Sequence, residues 1–419
     1  MALHSWLARP QRRLGPLGLI VLLVITSLVT PLSLDMYTPA VPHMTEHFNT
    51  SESMVNLTLV GYFLFFAVGL LAFGPASDRY GRKPVLLAGI LTYALASALC
   101  ALSVDIGILQ ALGAGAVSAV STAVVKDAVV PERREALLSV VQVMFVVGPV
   151  LAPVAGALIL QVADWRMTFW VLAGIGLLCA GLALLFDETL PVSERYEGTV
   201  LGSVKQLGAV ARNKGFSAFL GIVGLYNLPF MAYIAVGSYV YITFFGLTEL
   251  EYSMYFAFAA LLTAAGPFIW LAASRFMSAR RFTSILLGIA LASGAAMLAV
   301  GQASPQLFCI TFLAFALTEA AVRPYSTNVL LSQQEGDTGA ASSLINFAHT
   351  AIGCVGMLAA VLPWPNYVVG VGAIIVGSMG VAIAGWVALL RSNVPLRGIK
   401  DAGDEPTAAP DSNLAPQKR

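Results

Sequence analysis

Charged side chains are scarce in this sequence. Only 11% of its 419 residues are Asp, Glu, Lys or Arg, whereas soluble domains carry about 25%. Hydrophobic residues make up 58% of the chain, which is more than the roughly 45–50% of a typical globular domain. This composition excludes a soluble protein of this size. The net charge of +1 also removes the electrostatic basis for binding nucleic acid.

Residues that support catalysis or metal binding are also few. The sequence has four cysteines, all inside apolar runs and without a Cys-x-x-Cys pair, so it predicts neither a disulfide framework nor a metal site. Three of the four histidines lie outside the apolar runs, and no nucleophile–base cluster is visible. A Gly-x-x-x-x-Gly-Lys-Ser/Thr loop is missing, which argues against direct use of ATP. We therefore expect no enzyme activity and no cofactor.

Long apolar runs occupy most of the chain, and twelve of them are long enough to cross a bilayer, which takes about 20 helical residues. The first run follows several arginines, as in a signal peptide, but it is long and lacks a small-x-small cleavage site, so we interpret it as a retained span. The predicted spans are 17–38, 54–74, 84–104, 106–125, 136–161, 167–186, 216–244, 253–273, 282–301, 305–330, 339–362 and 366–390. The predicted fold is all-α and integral to the membrane.

The distribution of basic residues orients these spans. With a cytoplasmic N-terminus, all of the 23 basic residues except Arg166 and Arg323 fall in inner segments, so the positive-inside rule predicts that both termini are cytoplasmic. A long polar interval then divides the chain into two sets of six spans. The predicted organisation is a cytoplasmic N-terminus (1–16), a first six-helix half (17–186), a cytoplasmic linker (187–215), a second six-helix half (216–391) and a disordered cytoplasmic tail (392–419).

One polar stretch, Gly74 to Pro84, separates spans 2 and 3 and reads as a tight turn whose ends are marked by Pro75 and Pro84. Its spacing resembles the Gly-x-x-x-Asp-Arg-x-Gly-Arg-Lys loop between helices 2 and 3 of the major facilitator superfamily. The matching residues are Gly74, Asp78, Arg79, Gly81, Arg82 and Lys83. The resemblance implies twelve helices in two halves around a central cavity, and a loop that helps to lock helices 2 and 11 in one conformational state. The alternative is an ordinary basic inner loop, which would require neither Asp78 nor the glycines.

Span 5 contains glycines and prolines at regular intervals. Gly148, Ala152 and Gly156 recur every four residues, so they share one face and allow close approach of another helix, while Pro149 and Pro153 permit a kink. The pattern resembles the Gly-Pro-rich antiporter motif in span 5 of proton-coupled drug exporters. A kinked helix with a small-residue contact explains the same pattern without any transport role.

The outer end of span 1, from Ser33 to Pro42, contains Asp35, Met36 and Tyr37 followed by prolines. It resembles the signature of the bicyclomycin/chloramphenicol-resistance (Bcr/CflA) subfamily of drug:proton antiporters. A carboxylate near hydrocarbon is costly to ionise, so Asp35 is a candidate for taking up a proton outside and releasing it inside. It could equally pair with a cationic substrate, or simply cap the helix end at the interface.

Further polar residues lie within other spans, where they mark functional sites by default. Glu319 and Arg323 in span 10 are spaced for a helical ion pair, which serves either structure or coupling. His349 and Asn346 share one face of span 11 with Ser342, and His349 is a possible proton relay or a hydrogen-bonded structural histidine. Asn227 in span 7 and Gln142 in span 5 are cavity-lining candidates. Span 7 also carries aromatic residues that suit either a ligand pocket or ordinary packing: Tyr226, Phe230, Tyr233, Tyr239 and Tyr241.

The sequence departs from the family in span 4. Relatives carry an arginine that is implicated in proton coupling, but Gly107 stands at its position, and only Asp105 separates spans 3 and 4. Three explanations stay open: Arg323 has taken over the task, coupling is altered, or an internal deletion has damaged the protein.

The resemblance implies multidrug efflux by proton antiport through alternating access. We expect small amphipathic compounds, protons and the lipid bilayer as partners, a location in the cytoplasmic (inner) membrane, and action as a monomer. One alternative is transport of a specific small metabolite on the same fold. Another is a membrane enzyme or receptor-like protein without transport.

Overall fold

The computed structural model describes residues 11–102, 131–195, 208–333 and 338–399. In these ranges every regular element is a helix, and ten helical stretches are long and apolar enough to cross a membrane. A shorter apolar helix spans Val147–Leu160. The described helices coincide with eleven of the twelve predicted spans, and the predicted fourth span lies outside the described residues. The expected all-α membrane fold is confirmed.

Among the described residues, six α-helices precede the central polar interval: α1 (Gly15–Asp35), α2 (Val41–His47), α3 (Glu52–Tyr80), α4 (Arg82–Leu102), α5 (Pro131–Leu160) and α6 (Arg166–Leu185). A further eight follow it: α7 (Lys214–Gly224), α8 (Asn227–Ser238), α9 (Glu249–Thr263), α10 (Gly266–Ala273), α11 (Ala279–Val300), α12 (Pro305–Ser332), α13 (Thr338–Ala360) and α14 (Tyr367–Arg391). We call these two sets the N-terminal and the C-terminal helices.

Polar side chains cap the N-termini of several of the described helices. Ser51, Asn213 and Ser304 each accept a hydrogen bond from a backbone N–H in the first turn of the helix that follows, as N-cap residues do. Thr248 forms a reciprocal capping box with Glu251 at the start of α9. Helices α3, α7, α9 and α12 therefore begin at defined residues.

Two predicted spans are interrupted. Span 7 is divided into α7, α8 and a final wide turn over Tyr239–Phe244, and span 8 is divided into α9 and α10. Pro229 and Pro267 lie in the first turns of α8 and α10, and neither can donate a hydrogen bond to the carbonyl four residues earlier. The backbone breaks at these points because proline is tolerated best in the first turn of a helix.

The polar turn between spans 2 and 3 is shorter than predicted. Helix α3 continues through Gly74 and Pro75 to Tyr80, and α4 begins at Arg82. The turn consists of Gly81, whose φ is 102°. Residues with a side chain rarely adopt this backbone conformation. The prediction that Gly74 belongs to the turn is therefore wrong, because a proline such as Pro75 does not end a membrane helix when neighbouring groups satisfy the freed carbonyl.

Two pairs of helices approach each other so closely that their backbones nearly touch. A Cβ at Gly156 of α5 would lie 1.8 Å from the carbonyl oxygen of Met36, and one at Gly148 would lie 2.3 Å from Pro31 of α1. A Cβ at Gly356 of α13 would lie 1.9 Å from the carbonyl oxygen of Leu228 in α8. The predicted close packing through the span 5 glycines is confirmed, and the sequence analysis missed its counterpart in span 11.

The two ends of the molecule differ. One end, which we call the basic end, carries Gly81 with its flanking arginines and the start of α11 with Arg280 and Arg281. At the opposite end, hydrogen bonds join the N-terminal to the C-terminal helices. Asn56 donates to the carbonyl of Met357 at 2.8 Å, and Ser253 donates to that of Pro153 at 2.9 Å. Side-chain pairs add to this contact: His43 with Glu249, Thr45 with Tyr239, and Tyr367 with Glu52.

Residues 392–399 do not fit the predicted disordered tail. Gln333 at the end of α12 donates to the carbonyl of Arg397 at 3.0 Å and accepts from its N–H at the same distance. Leu396 and Ile399 are buried. This segment folds back because its two apolar side chains gain a place in the core. Residues 400–419 lie outside the described part of the chain.

Candidate functional site

Asp35 ends α1 and is buried, with 2% of its surface exposed. Its Oδ1 atom has no hydrogen-bond partner within the described residues. Three tyrosines lie close enough for the Asp35 charge to act on their hydroxyls: Tyr37, Tyr62 and Tyr252. Asp35 ends a helix, where the macrodipole disfavours a negative charge, and its predicted roles as a proton carrier, a partner of a cation or a helix cap stay predictions.

Tyr37 points into the N-terminal helices. It is buried, its ring centroid lies 5.5 Å from that of Phe169 in α6, and its hydroxyl faces Thr58 of α3. This position gives Tyr37 a packing contact, and its predicted part in coupling or substrate binding stays a prediction.

The Gly-Pro segment of α5 lies beside Asp35. The contact between Gly156 and Met36 places α5 against the residue that follows Asp35 in the chain. The carbonyl of Pro153 accepts the hydrogen bond from Ser253 of α9. Helix α5 therefore connects the buried acid to the contact between the N-terminal and C-terminal helices. The structure gives Pro149 a place in the same helix and leaves its predicted antiporter role untested.

Glu319 and Arg323 form the ion pair that their spacing predicts. Arg323 Nε lies 3.2 Å from Glu319 Oε1, and Arg323 Nη2 donates to Asn227 Oδ1 of α8 at 3.1 Å. The Glu319 side chain is 8% exposed, whereas that of Arg323 is 52% exposed. A guanidinium exposed within a span requires water, because exposure to lipid is very costly. Such a position is typical of a charged residue that faces the bundle interior or a water-filled cavity.

His349 of α13 lies near this pair. Its Nε2 atom is buried without a hydrogen-bond partner among the described residues, and Arg323 is close enough for its charge to act on the ring. A Cβ at Gly224 would lie 3.7 Å from the imidazole, so the ring lies beside the end of α7. Asn346, one turn earlier, is exposed. Gln142 belongs to α5, but its side chain lies outside the described part of the structure.

The aromatic residues of span 7 pack against the core. Tyr233 stacks on Phe312 of α12 with ring centroids 3.7 Å apart, and Tyr226 stacks on Phe315 at 6.0 Å. The four tyrosines of the predicted set are all buried. Ordinary packing therefore explains them, and the alternative of an open ligand pocket receives no support from their burial.

The Gly81 turn has a partner that the sequence analysis did not identify. Glu188, after α6, accepts hydrogen bonds from the backbone N–H groups of Arg82 at 2.9 Å and Lys83 at 3.2 Å. A Cβ at Gly81 would lie 2.4 Å from Glu188 Oε2. Asp78 pairs with Arg82 at 2.6 Å, while Arg79 is exposed. The sequence does contain a signal for this contact. Glu188 is an acid directly after span 6, and it lies on the same predicted side of the membrane as the basic Gly81 turn.

Comparison with known proteins places these features in a family. The sequence profile of the Major Facilitator Superfamily matches residues 23–357. The chain is 29% identical over 350 residues to an uncharacterized MFS-type transporter, YdgK, of Bacillus subtilis (strain 168), and the match covers 81% of this chain and 87% of the relative. It is 34% identical over 173 residues to the multidrug resistance protein MdtL of Escherichia coli, covering 40% of this chain and 44% of MdtL.

Solved structures share the fold. A D-xylose-proton symporter superposes with a TM-score of 0.67 at 15% identity, covering 90% of this chain and 97% of the symporter. A POT family peptide transporter superposes with a TM-score of 0.70 at 15% identity, covering 93% and 98%. The family match, the full-length relative and the helical fold lead to one conclusion: this chain is a multi-pass membrane transporter that belongs to the Major Facilitator Superfamily.

Proposed function

We propose that this transporter exports small amphipathic compounds in exchange for protons across the cytoplasmic membrane, as a member of the Bcr/CflA subfamily with both termini in the cytoplasm. The partial likeness to MdtL supports export of drugs. The distribution of basic residues supports the orientation, with the basic end in the cytoplasm.

The observation that carries the proposal is the isolation of Asp35. A buried carboxylate whose oxygen lacks a partner is stable only in its neutral form, because an unpaired charge away from water is very costly. Asp35 therefore holds a proton whenever its surroundings are as closed as they are here. It can release that proton only when a conformational change or a ligand alters those surroundings.

Alternating access supplies this change. The hydrogen bonds at the opposite end close the outer side, while the exposed Arg323 requires water from the basic end, which is then the cytoplasmic side. In the proposed cycle, substrate enters the cavity from the cytoplasm, and its binding changes the surroundings of Asp35 so that the acid releases its proton to the cytoplasm. Breaking the outer contacts, including the bond from Ser253 to Pro153 beside Asp35, opens the acid and the substrate to the outside. Protonation of Asp35 there favours the return to the closed state.

The test is drug-induced proton movement in inverted membrane vesicles that hold an imposed pH gradient. We expect ethidium or chloramphenicol to dissipate the gradient with the wild type and to have no effect with Asp35→Asn. Asp164→Asn is the matched control, because Asp164 is an exposed acid, and it should behave as the wild type.

Equal activity of Asp35→Asn and wild type would refute the role of Asp35. Saturable transport of a single polar solute, with no response to either drug, would instead favour a specific metabolite transporter on the same fold. Both outcomes require confirmed membrane insertion of each variant.

A further inference from the structure

We propose that Arg323 and His349 form a subsite for a carboxylate group of the substrate, so that the preferred substrates are anionic or zwitterionic amphipathic compounds rather than simple cations. This inference rests on the proposed function, because it takes the ligand of the cavity to be the transported compound.

Arg323 has more N–H donors than its two protein partners use. A guanidinium carries five N–H groups in a planar fork. In the described structure, Nε faces Glu319 and one N–H of Nη2 is given to Asn227, which leaves Nη1 and the second N–H of Nη2 without protein partners. The side chain is half exposed, so these donors face water. Two parallel N–H groups fit the two oxygens of a carboxylate.

Glu319 is not placed to receive a cation. Its carboxylate is buried behind the guanidinium and already paired with it. A ligand that approaches through water meets the positive charge of Arg323 first, and a cationic ligand would have to displace the arginine from Glu319. The pair therefore fixes the arginine in the site and presents a positive surface to the cavity.

His349 provides a second donor. Its Nε2 is buried and has no hydrogen-bond partner in the described part of the chain, which costs free energy unless a ligand or water satisfies the atom. The imidazole of His349, on α13, lies beside Gly224 of span 7. Asn227, which binds the guanidinium of Arg323, follows Gly224 by about one turn in the same span. With a proton on Nε2, His349 donates to a carboxylate oxygen that also binds Arg323.

The subsite is preorganised. Asn227 and Glu319 hold the guanidinium from two different helices, α8 and α12, so little side-chain freedom is lost when the ligand binds. Such preorganisation raises affinity by reducing the entropic cost of binding.

The experiment measures binding to purified protein in lipid nanodiscs, without a proton gradient. Three probes carry the same dansyl fluorophore and differ in their head groups: dansylglycine is an anion, dansylamide is neutral, and dansylcadaverine is a cation. We expect wild-type protein to bind dansylglycine about ten-fold or more tightly than either other probe, since charge-assisted pairs are the strong ones.

Three variants test the residues. Glu319→Gln/Arg323→Gln removes both charges without leaving a buried one and should abolish the preference for dansylglycine. Arg323→Lys should retain part of the preference, and His349→Gln should weaken binding of dansylglycine more than that of dansylamide. Arg166→Gln, which changes a partly buried arginine at the opposite end, is the matched control and should bind as the wild type.

Equal binding of the three probes, tighter binding of dansylcadaverine, or an unchanged preference in the double variant would overturn the proposal. Failure of the proposed function looks different. In that case dansylglycine binds with the expected preference, but neither dansylglycine nor the two drugs move protons in the vesicle assay.

Discussion

The N-terminal and C-terminal helices repeat one contact and differ in the polar residues beside it. Gly156 of α5 lies against the backbone of Met36, next to α1, and Gly356 of α13 lies against the backbone of Leu228 in α8. The acid beside the first contact, Asp35, is buried, and its Oδ1 atom has no hydrogen-bond partner among the described residues. Beside the second contact, Arg323 joins Glu319 to Asn227.

This difference separates what the fold requires from what transport requires. Close backbone approach depends only on the missing side chain of glycine, so the same solution serves both sets of helices. A lone buried acid and a paired acid respond differently to a proton, because only the lone acid lacks a compensating positive charge. In the proposed mechanism the scaffold is repeated, while proton binding and substrate binding are divided between the two sets.

The largest expected effect tests the repeated contact. Gly156→Leu and Gly356→Leu should each prevent folding, because the new side chain would overlap a backbone carbonyl and overpacking costs about 1–3 kcal/mol or more. Size-exclusion profiles of fluorescent fusions in detergent would show aggregated or missing protein for both.

Gly174→Leu and Gly377→Leu are the controls, because a Cβ at either position meets nothing within 4 Å. They should elute as the wild type. Normal folding of one contact variant but not the other would show that the two contacts are not equivalent.

The next effect concerns the paired acid. Arg323→Gln leaves the buried Glu319 without its partner and should lower the free energy of unfolding by about 3 kcal/mol, the lower end of the range for breaking a buried pair, since Arg323 is half exposed. Thermal unfolding of the purified variants would measure it.

The double variant Glu319→Gln/Arg323→Gln should recover most of that loss, because no charge stays buried. If the double variant is as unstable as the single one, the loss comes from the contact with Asn227 and not from the stranded charge.

A smaller effect is expected at the lone acid. Asp35→Asn should change the free energy of unfolding by less than about 1 kcal/mol, because the side chain is neutral in both proteins when it is buried without a partner. The same thermal unfolding experiment measures this change. Stability equal to the wild type, combined with lost drug-induced proton movement, would sharpen the contrast with Arg323. A loss as large as that of Arg323→Gln would mean that Asp35 is charged and paired in the folded protein.

The smallest effect is expected where the two sets of helices meet. His43 and Glu249 form an exposed pair at 2.7 Å, and exposed pairs contribute about 0–1 kcal/mol. A double-mutant cycle with His43→Gln and Glu249→Gln should give a coupling energy within that range. A larger coupling energy would show that this pair contributes much of the contact between the two sets of helices at the end opposite the basic end.

Much of this fold could be predicted from the sequence, because length and hydropathy alone define a membrane span. The pairing of Glu319 with Arg323 follows in the same way from helical spacing. The partners of Asn227 and Glu188 could not be predicted, since each contact joins residues about a hundred positions apart in the chain. The extent of the Gly81 turn was misjudged because Gly74 and Pro75 are tolerated within a membrane helix.

The strength of the hydrogen bonds at the end opposite the basic end affects the balance between conformations. Asn56 and Ser253 both donate to main-chain carbonyls, and a neutral hydrogen bond contributes only about 0.5–1.5 kcal/mol. These two bonds alone stay below the roughly 5.5 kcal/mol that moves a two-state population from 1:99 to 99:1. The side-chain pairs at the same end, Thr45 with Tyr239 and Tyr367 with Glu52, add to them, so this end is held by several weak contacts rather than by one strong one.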